Sequence, residues 1–143
     1  MEVELGKIRE FARATKSSNP DYLAADRPVS PATFLATSAL WSAGTGFPWD
    51  EIDGGKDIEL GRVLDGGQEF VFHGEPPRAG ARLVARARIA ADYVKEGRRG
   101  GSMRFIEVIH EFRTPDGRPV ADLRKTFIVT SQPPALAGQE TDR

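Results

Sequence analysis

The stretch Arg82–Glu96, RLVARARIAADYVKE, restricts the fold more than any other. Leu83, Ala85, Ala87, Ile89, Ala91 and Tyr93 alternate with Arg82, Arg86, Arg88 and Asp92, and a period of two over that length describes a strand with one buried face. More strand signal follows and precedes it. DIELGRVL and QEFVFHGE are separated by a Gly pair, MRFIEVIHEFRT has apolar groups on both faces, and PVADLRKTFIVTS places Ala121, Leu123, Phe127 and Val129 on one face. GRRGG and PDGR read as the tight turns between the last three. Four or five strands joined this way form an antiparallel meander, and its single apolar face needs a cover.

The cover comes from the first half of the chain. Residues 3–15 carry Leu5, Ile8, Phe11 and Ala12 at helical spacing, with Gly6 weakening the first turn so that Lys7 is the expected start. Residues 17–31, with three prolines, read as a loop. Residues 32–43, ATFLATSALWSA, spread Phe34, Leu35, Leu40 and Trp41 around the helical wheel. Ser30 is placed to cap this helix, Pro31 suits its first turn, and Gly44 and Gly46 end it. A helix apolar on most sides is a buried one. Helices first and a meander afterwards predict an α+β fold, an antiparallel sheet wrapped around a central buried helix.

Composition narrows the chemistry. The 143 residues suit one domain at 1–132, followed by a disordered Pro-rich tail at 133–143. A net charge of −1 gives no reason to expect a nucleic-acid or anionic-membrane partner. The absence of cysteine excludes disulfides, thiolate metal sites and cysteine nucleophiles. No apolar run has the length of a membrane span, and MEVELGKIREF is too charged for a signal peptide, so a cytoplasmic location is expected. GTG and DGG are turns rather than phosphate loops, no hydrolase nucleophile motif is present, and no cofactor is expected. Asp50, Glu51 and Asp53, in a loop with Phe47, Trp49 and Ile52, read as solvated acids rather than a metal site.

Four segments in order, IREFARAT leading into SSNPDY, SPATFLATSAL, QEFVFHGEPPRAGARLVARARI and MRFIEVIHEFRTPDGRPVADLRKTFIV, resemble the N-terminal-type MaoC dehydratases over residues 3–130. The resemblance implies a single hot-dog domain, with activity on (3R)-hydroxyacyl thioesters. Active members of the wider group carry an Asp, then Asn-Pro, then a His, which hold a water and move the proton at C2 of the thioester. Asn19-Pro20 matches the Asn-Pro, but Ser17 stands at the Asp position and Tyr22 at the His position. Neither residue type accepts a proton readily at neutral pH, so no catalytic residue is assigned. In relatives an acid also follows the next loop, where this chain reads Pro77-Arg78-Ala79-Gly80-Ala81.

The resemblance thus implies a non-catalytic subunit of a dehydratase or enoyl hydratase that pairs with a catalytic MaoC-type hot-dog chain. Its expected ligand is an acyl thioester on coenzyme A or an acyl carrier protein. The residues expected to contact substrate are Asn19, Tyr22, Phe34, Leu35, Ser38, Trp41, His73 and Arg78, with Phe47 and Trp49 from the loop; core packing is the competing reading for the apolar ones. His73 reads as a substrate contact or a structural histidine, and His110, mid-strand, as structural. Arg78, Arg82, Arg86, Arg88, Arg98 and Arg99 form either a phosphate-binding row or a solvated face balanced by acids. Two alternatives stay open: a self-dimer that holds an acyl thioester without converting it, and a thioesterase using Asp21 or Asp26, since the central helix has no carboxylate.

Overall fold

The computed structural model describes residues 1–41, 58–97 and 101–131. The loop carrying Phe47, Trp49, Asp50, Glu51 and Asp53, the glycines at 44 and 46, Arg98, Arg99 and the tail from 132 lie outside the described residues, as does the side chain of Trp41. Among the described residues, no helix is long and apolar enough to cross a membrane.

The chain opens with α1 (Leu5–Ala14), which starts ahead of Gly6 rather than at Lys7. Ile8 and Ala12 are buried on its inner stripe. A single turn, α2 (Pro20–Leu23), follows. The expected central helix is shorter and tighter than its spacing predicts. A 3₁₀ turn at Phe34–Thr37 leads into α3 (Ser38–Trp41). Ser30 does not cap it: its backbone N–H donates to Pro77 O at 2.9 Å and its buried Oγ has no partner among the described residues. Phe34 N–H instead reaches Pro31 O at 2.9 Å, which closes the turn three residues later. Phe34 and Leu35 are fully buried, whereas Leu40 is 76% exposed, so the helix is not buried on every side.

The sheet holds β1 (Val63–Phe72), β2 (Val84–Glu96), β3 (Ser102–Arg113) and β4 (Pro119–Thr130), all antiparallel, in the order β1-β4-β3-β2. The Gly pair at 66–67, which reads as a break, lies inside β1 as a bulge. Gly66 is the extra residue, and a Cβ there would fall 2.9 Å from the Ile128 side chain, so only glycine fits without a shift. PDGR does turn the chain: Gly117, at φ 91°, donates to Thr114 O at 2.9 Å.

A second bulge changes the reading of β2. Ile89 pairs with Val108, but Ala91 pairs with Glu107, leaving Ala90 as the extra residue. The faces exchange at that point. Ala87 and Ile89 look inward with Val108 and Ile106, while Ala91 and Tyr93 look outward, where Tyr93 stacks on Phe105 with ring centroids 5.3 Å apart.

Two apolar clusters occupy the inner face. One joins Ile8, Phe34, Leu35, Ala79 and Leu83 to Phe112, Ala121 and Leu123. The other surrounds Ile106 and Val108 with Ile58, Ala87, Ile89, Phe127 and Val129. Each fully buried Phe, Leu or Ile contributes about 1.5–3 kcal/mol, so the first cluster fixes the helices to the sheet. Residues 28–30 are stapled to 77–79 through Ser30 N–H to Pro77 O and Ala79 N–H to Pro28 O, each 2.9 Å.

Candidate functional site

The segment from Lys16 to Tyr22 is built with care. The C-terminus of α1 closes as a Schellman turn: Ser17 N–H donates to Ala12 O at 2.8 Å and Lys16 N–H to Arg13 O at 2.9 Å. Lys16 occupies the left-handed position at φ 55°, which glycine usually takes. Ser17 Oγ accepts from Asn19 N–H at 3.3 Å, and Asn19 Oδ1 caps α2 by accepting from Asp21 N–H at 3.0 Å. Pro20 opens the turn. Arg9 on α1 ties the next residues down through Nη2 to Ala25 O at 3.4 Å. Tyr22, half-buried, packs against the cluster that contains Phe34 and Leu35.

The loop therefore presents Ser17, Asn19 and Tyr22 at fixed positions, two hydroxyls and an amide. A serine hydroxyl and a phenol donate and accept hydrogen bonds, but they do not remove a proton from carbon without a base to activate them.

The other expected residues separate into two groups. Tyr22, Phe34 and Leu35 share one cluster, and Ser38 is buried at 8% exposure just beyond them. Arg78 stands next to Ala79 of the same cluster, yet its guanidinium is exposed and engaged by Glu75 at 3.3 Å and by Arg27 O at 3.4 Å. His73 lies elsewhere. Phe72 faces inward, so His73 faces outward, where its Nε2 meets Asp122 Oδ2 at 3.3 Å. That carboxylate–imidazole pair is on the opposite side of the sheet from the helices. The arginine row is balanced by acids: Arg88 reaches Glu111 at 3.0 Å, Arg113 reaches it at 3.3 Å, and Arg82 approaches Glu2 at 4.0 Å. Hydrogen bonds from Arg88 and then Arg113 hold the Glu111 carboxyl below the usual range.

Two further titratable residues share the inner face: His110, read from the sequence as structural, and Lys125, which sequence reasoning passed over. Between the two apolar clusters the inner face carries a polar step. On β3 and β4 the inward pairs are Phe112/Ala121, His110/Leu123, Val108/Lys125, Ile106/Phe127 and Arg104/Val129. His110 and Lys125 are diagonal neighbours on this face, roughly 7 Å apart along the backbone. Burial, followed by the charge of Lys125, pushes the His110 pKa down. Burial likewise lowers that of Lys125, with Asp65 opposing. The signal was present in ADLRKTFIV, where Lys125 breaks an otherwise apolar alternation. Arg104, on the same face, is paired bidentately with Asp92 at 2.7 and 2.5 Å, and that hydrogen bonding holds the Asp92 carboxyl below its ordinary value.

A four-stranded antiparallel sheet with its helical cover on one face, and a loop of this construction, define a hot-dog domain of MaoC-like dehydratase type. Residues 1–123 match the family described as the FAS1-like dehydratase domain region, and the chain belongs to that family. A UPF0336 protein of Saccharopolyspora erythraea is 33% identical over 135 residues, covering 89% of this chain and 80% of the relative. Among solved structures, the C-terminally truncated HadBC (3R-hydroxyacyl-ACP dehydratase) complex of Mycobacterium tuberculosis is similar. It has a TM-score of 0.64 and 27% identity, and the match covers 90% of this chain and 88% of that one. The ChsH1–ChsH2 complex of the same organism shares the fold, with a TM-score of 0.68 at 18% identity over 95% of this chain and 86% of that one.

Proposed function

We propose that this chain is the substrate-holding, non-catalytic subunit of a (3R)-3-hydroxyacyl-thioester dehydratase, working beside a second hot-dog chain that supplies the proton-moving pair. One observation supports the reading: the loop from Lys16 to Tyr22 is fully formed, with its Schellman turn, its Asn19 cap and its packing against Phe34 and Leu35, and it carries Ser17 and Tyr22 where the sequence resemblance expects Asp and His. That HadBC and ChsH1–ChsH2 are complexes of different hot-dog chains supports the pairing.

Dehydration removes the C2 proton to a base, and the C3 hydroxyl leaves as water after taking a proton from an acid. Both steps need groups that exchange protons near neutral pH within reach of the substrate. In the proposed assembly the partner performs them. This chain contributes the Asn19–Tyr22 loop and the buried Phe34–Ser38 turn beside the acyl group of a coenzyme A or carrier-protein thioester, with Arg78 available at the rim for a phosphate once released from Glu75.

A tagged pull-down from the native host, followed by a hydration assay on a short enoyl-CoA, tests this. The recovered partner should carry Asp and His at the positions of Ser17 and Tyr22, and the purified chain alone should give no turnover above buffer. Brisk turnover by the pure chain, abolished by Tyr22→Phe or His73→Ala, overturns the proposal, and so does a pull-down that returns only copies of this chain.

A further inference from the structure

β2 is an end strand of the sheet, bonded to β3 on one side. Its other side begins covered. Val3 N–H donates to Ala81 O at 2.8 Å, Leu83 N–H to Met1 O at 2.9 Å and the Met1 amine to Leu83 O at 2.6 Å, so residues 1–3 lie beside 81–83 as another strand would. Beyond Leu83 no described residue pairs with that edge. Leu83 turns both its N–H and its C=O away from β3, and antiparallel alternation turns those of Ala85 and Ala87 the same way. The inner side of the strand is open too: Ala85 looks inward yet is exposed, and Val94 is 61% exposed. A free edge of 13 residues without a proline is a template for a further strand.

The charges on β2 decide which strand fits. Its outward row is Val84, Arg86, Arg88, Ala91, Tyr93 and Lys95, three cations and no acid. The charged residues facing this row from β3 are Glu107, Glu111 and Arg113. Glu111 is taken by Arg88 at 3.0 Å and by Arg113 at 3.3 Å, and Glu107 accepts from the Tyr93 hydroxyl at 2.9 Å. Lys95 Nζ lies over the Tyr93 and Phe105 rings, 5.0 Å from each centroid. Arg86 stands opposite Glu111 in the register but has no ion pair among the described residues. The outward surface of β2 and β3 therefore holds four cations against two acids. A second copy of the chain laid antiparallel on this edge doubles the excess and sets cation against cation along the seam. Like charges across a strand pair repel, and such repulsion is how an interface rejects the wrong partner.

We propose that the free edge of β2 pairs with the edge strand of a different chain, one whose outward row carries carboxylates toward Arg86 and Lys95, and that the same cations keep this chain from pairing with itself. The backbone groups of Ala85 and Ala87 supply the ladder, and the small inward side chains leave room for apolar residues of the partner. This deepens the proposed function by naming the surface and the charge of the second subunit. It rests on that reading only for the partner being a hot-dog chain.

The test uses the full-length chain and, as an acidic probe, a copy carrying Arg86→Glu and Lys95→Glu, checked for an unchanged melting curve. In sedimentation at low ionic strength the chain alone should be a monomer. Mixed with the charge-reversed copy it should form a one-to-one dimer, with an affinity at least about tenfold above either self-pair and falling as salt is added. Amide hydrogen exchange locates the contact. In the mixture the Ala85 and Ala87 amides should slow by about tenfold or more, while that of Leu83, already bonded to Met1, keeps its rate. A stable dimer of the chain alone, a mixture that stays monomeric, or a dimer in which Ala85 and Ala87 exchange as in the monomer each overturns the proposal. The mixture contains no thioester and no native partner, so its outcome is separate from that of the hydration assay. A monomeric mixture beside an active native pair removes this surface and leaves the function; a paired mixture beside brisk turnover by the pure chain does the reverse.

Discussion

Lys16→Gly should stabilise the protein, although it removes a charged side chain from a loop next to the candidate site. Lys16 is exposed and sits at φ 55°, in the left-handed region, because the Schellman turn at the end of α1 requires it. A side chain with a Cβ costs about 1–2 kcal/mol in that conformation, and glycine gives back roughly 0.5–1 kcal/mol through the extra freedom of the unfolded chain. The net gain is about 0.5–1 kcal/mol. With a urea m-value of about 1–3 kcal/mol/M, the midpoint should move up by about 0.4 M at an unchanged m. Lys16→Ala keeps the Cβ and should stay near wild type, which separates relief of strain from loss of charge. The outcome that refutes the reasoning is a Lys16→Gly midpoint equal to or below that of Lys16→Ala. If the gain appears, the loop holds Ser17 and Asn19 in place at a cost in stability, although neither position carries a base.

Phe34→Ala should cost about 3–5 kcal/mol in the same melts, since Phe34 is fully buried and meets Phe11 edge-on at 5.7 Å between ring centroids; a loss below about 1.5 kcal/mol would mean that the ring lines an open channel instead. Acid sensitivity should be traceable to His110. Its folded pKa lies below the ordinary 6.5, so the histidine contributes nothing above that pH; on acidification the unfolded chain takes up the proton first, and stability falls from about pH 6.5 down to the folded pKa. His110→Gln should lose this part of the slope in urea midpoints measured from pH 7.5 to 5, and an unchanged slope would exclude His110 as its source.

The sheet was legible in the sequence because period two is a local property, and the PDGR turn needs a glycine at positive φ. What the period does not report is a bulge. One extra residue at Ala90 moved Ala91 and Tyr93 to the opposite face, and Gly66 turned an apparent break into a continuous strand. Both depend on a cross-strand partner that the segment does not contain. Ser30 fails as a cap for a similar reason: pairing of 28–30 with 77–79 sets its backbone, and a tertiary contact overrides the local preference. The loop before α2 was singled out by its Asn-Pro, and the structure uses Asn19 as the cap of α2 and Pro20 as its first residue. His73 was harder, because the face it takes depends on the register at the end of β1. Lys125 was visible as a lysine in an apolar row, and it was passed over because the reading of that strand counted only the residues that fitted the alternation.

His110 is the one imidazole on the inner face, so the question arises whether it replaces the missing base. Its environment argues against this. Abstraction of a proton from carbon is favoured by a base whose basicity matches the operating pH or exceeds it. The His110 pKa is instead lowered, first by burial and then by the neighbouring Lys125 charge. A carboxylate beside the ring would raise its basicity and fix its tautomer; the charge that acts on the ring is instead the Lys125 ammonium. Among the described residues the inner face therefore offers no imidazole poised to act as the base, and under the proposed function that group comes from the partner.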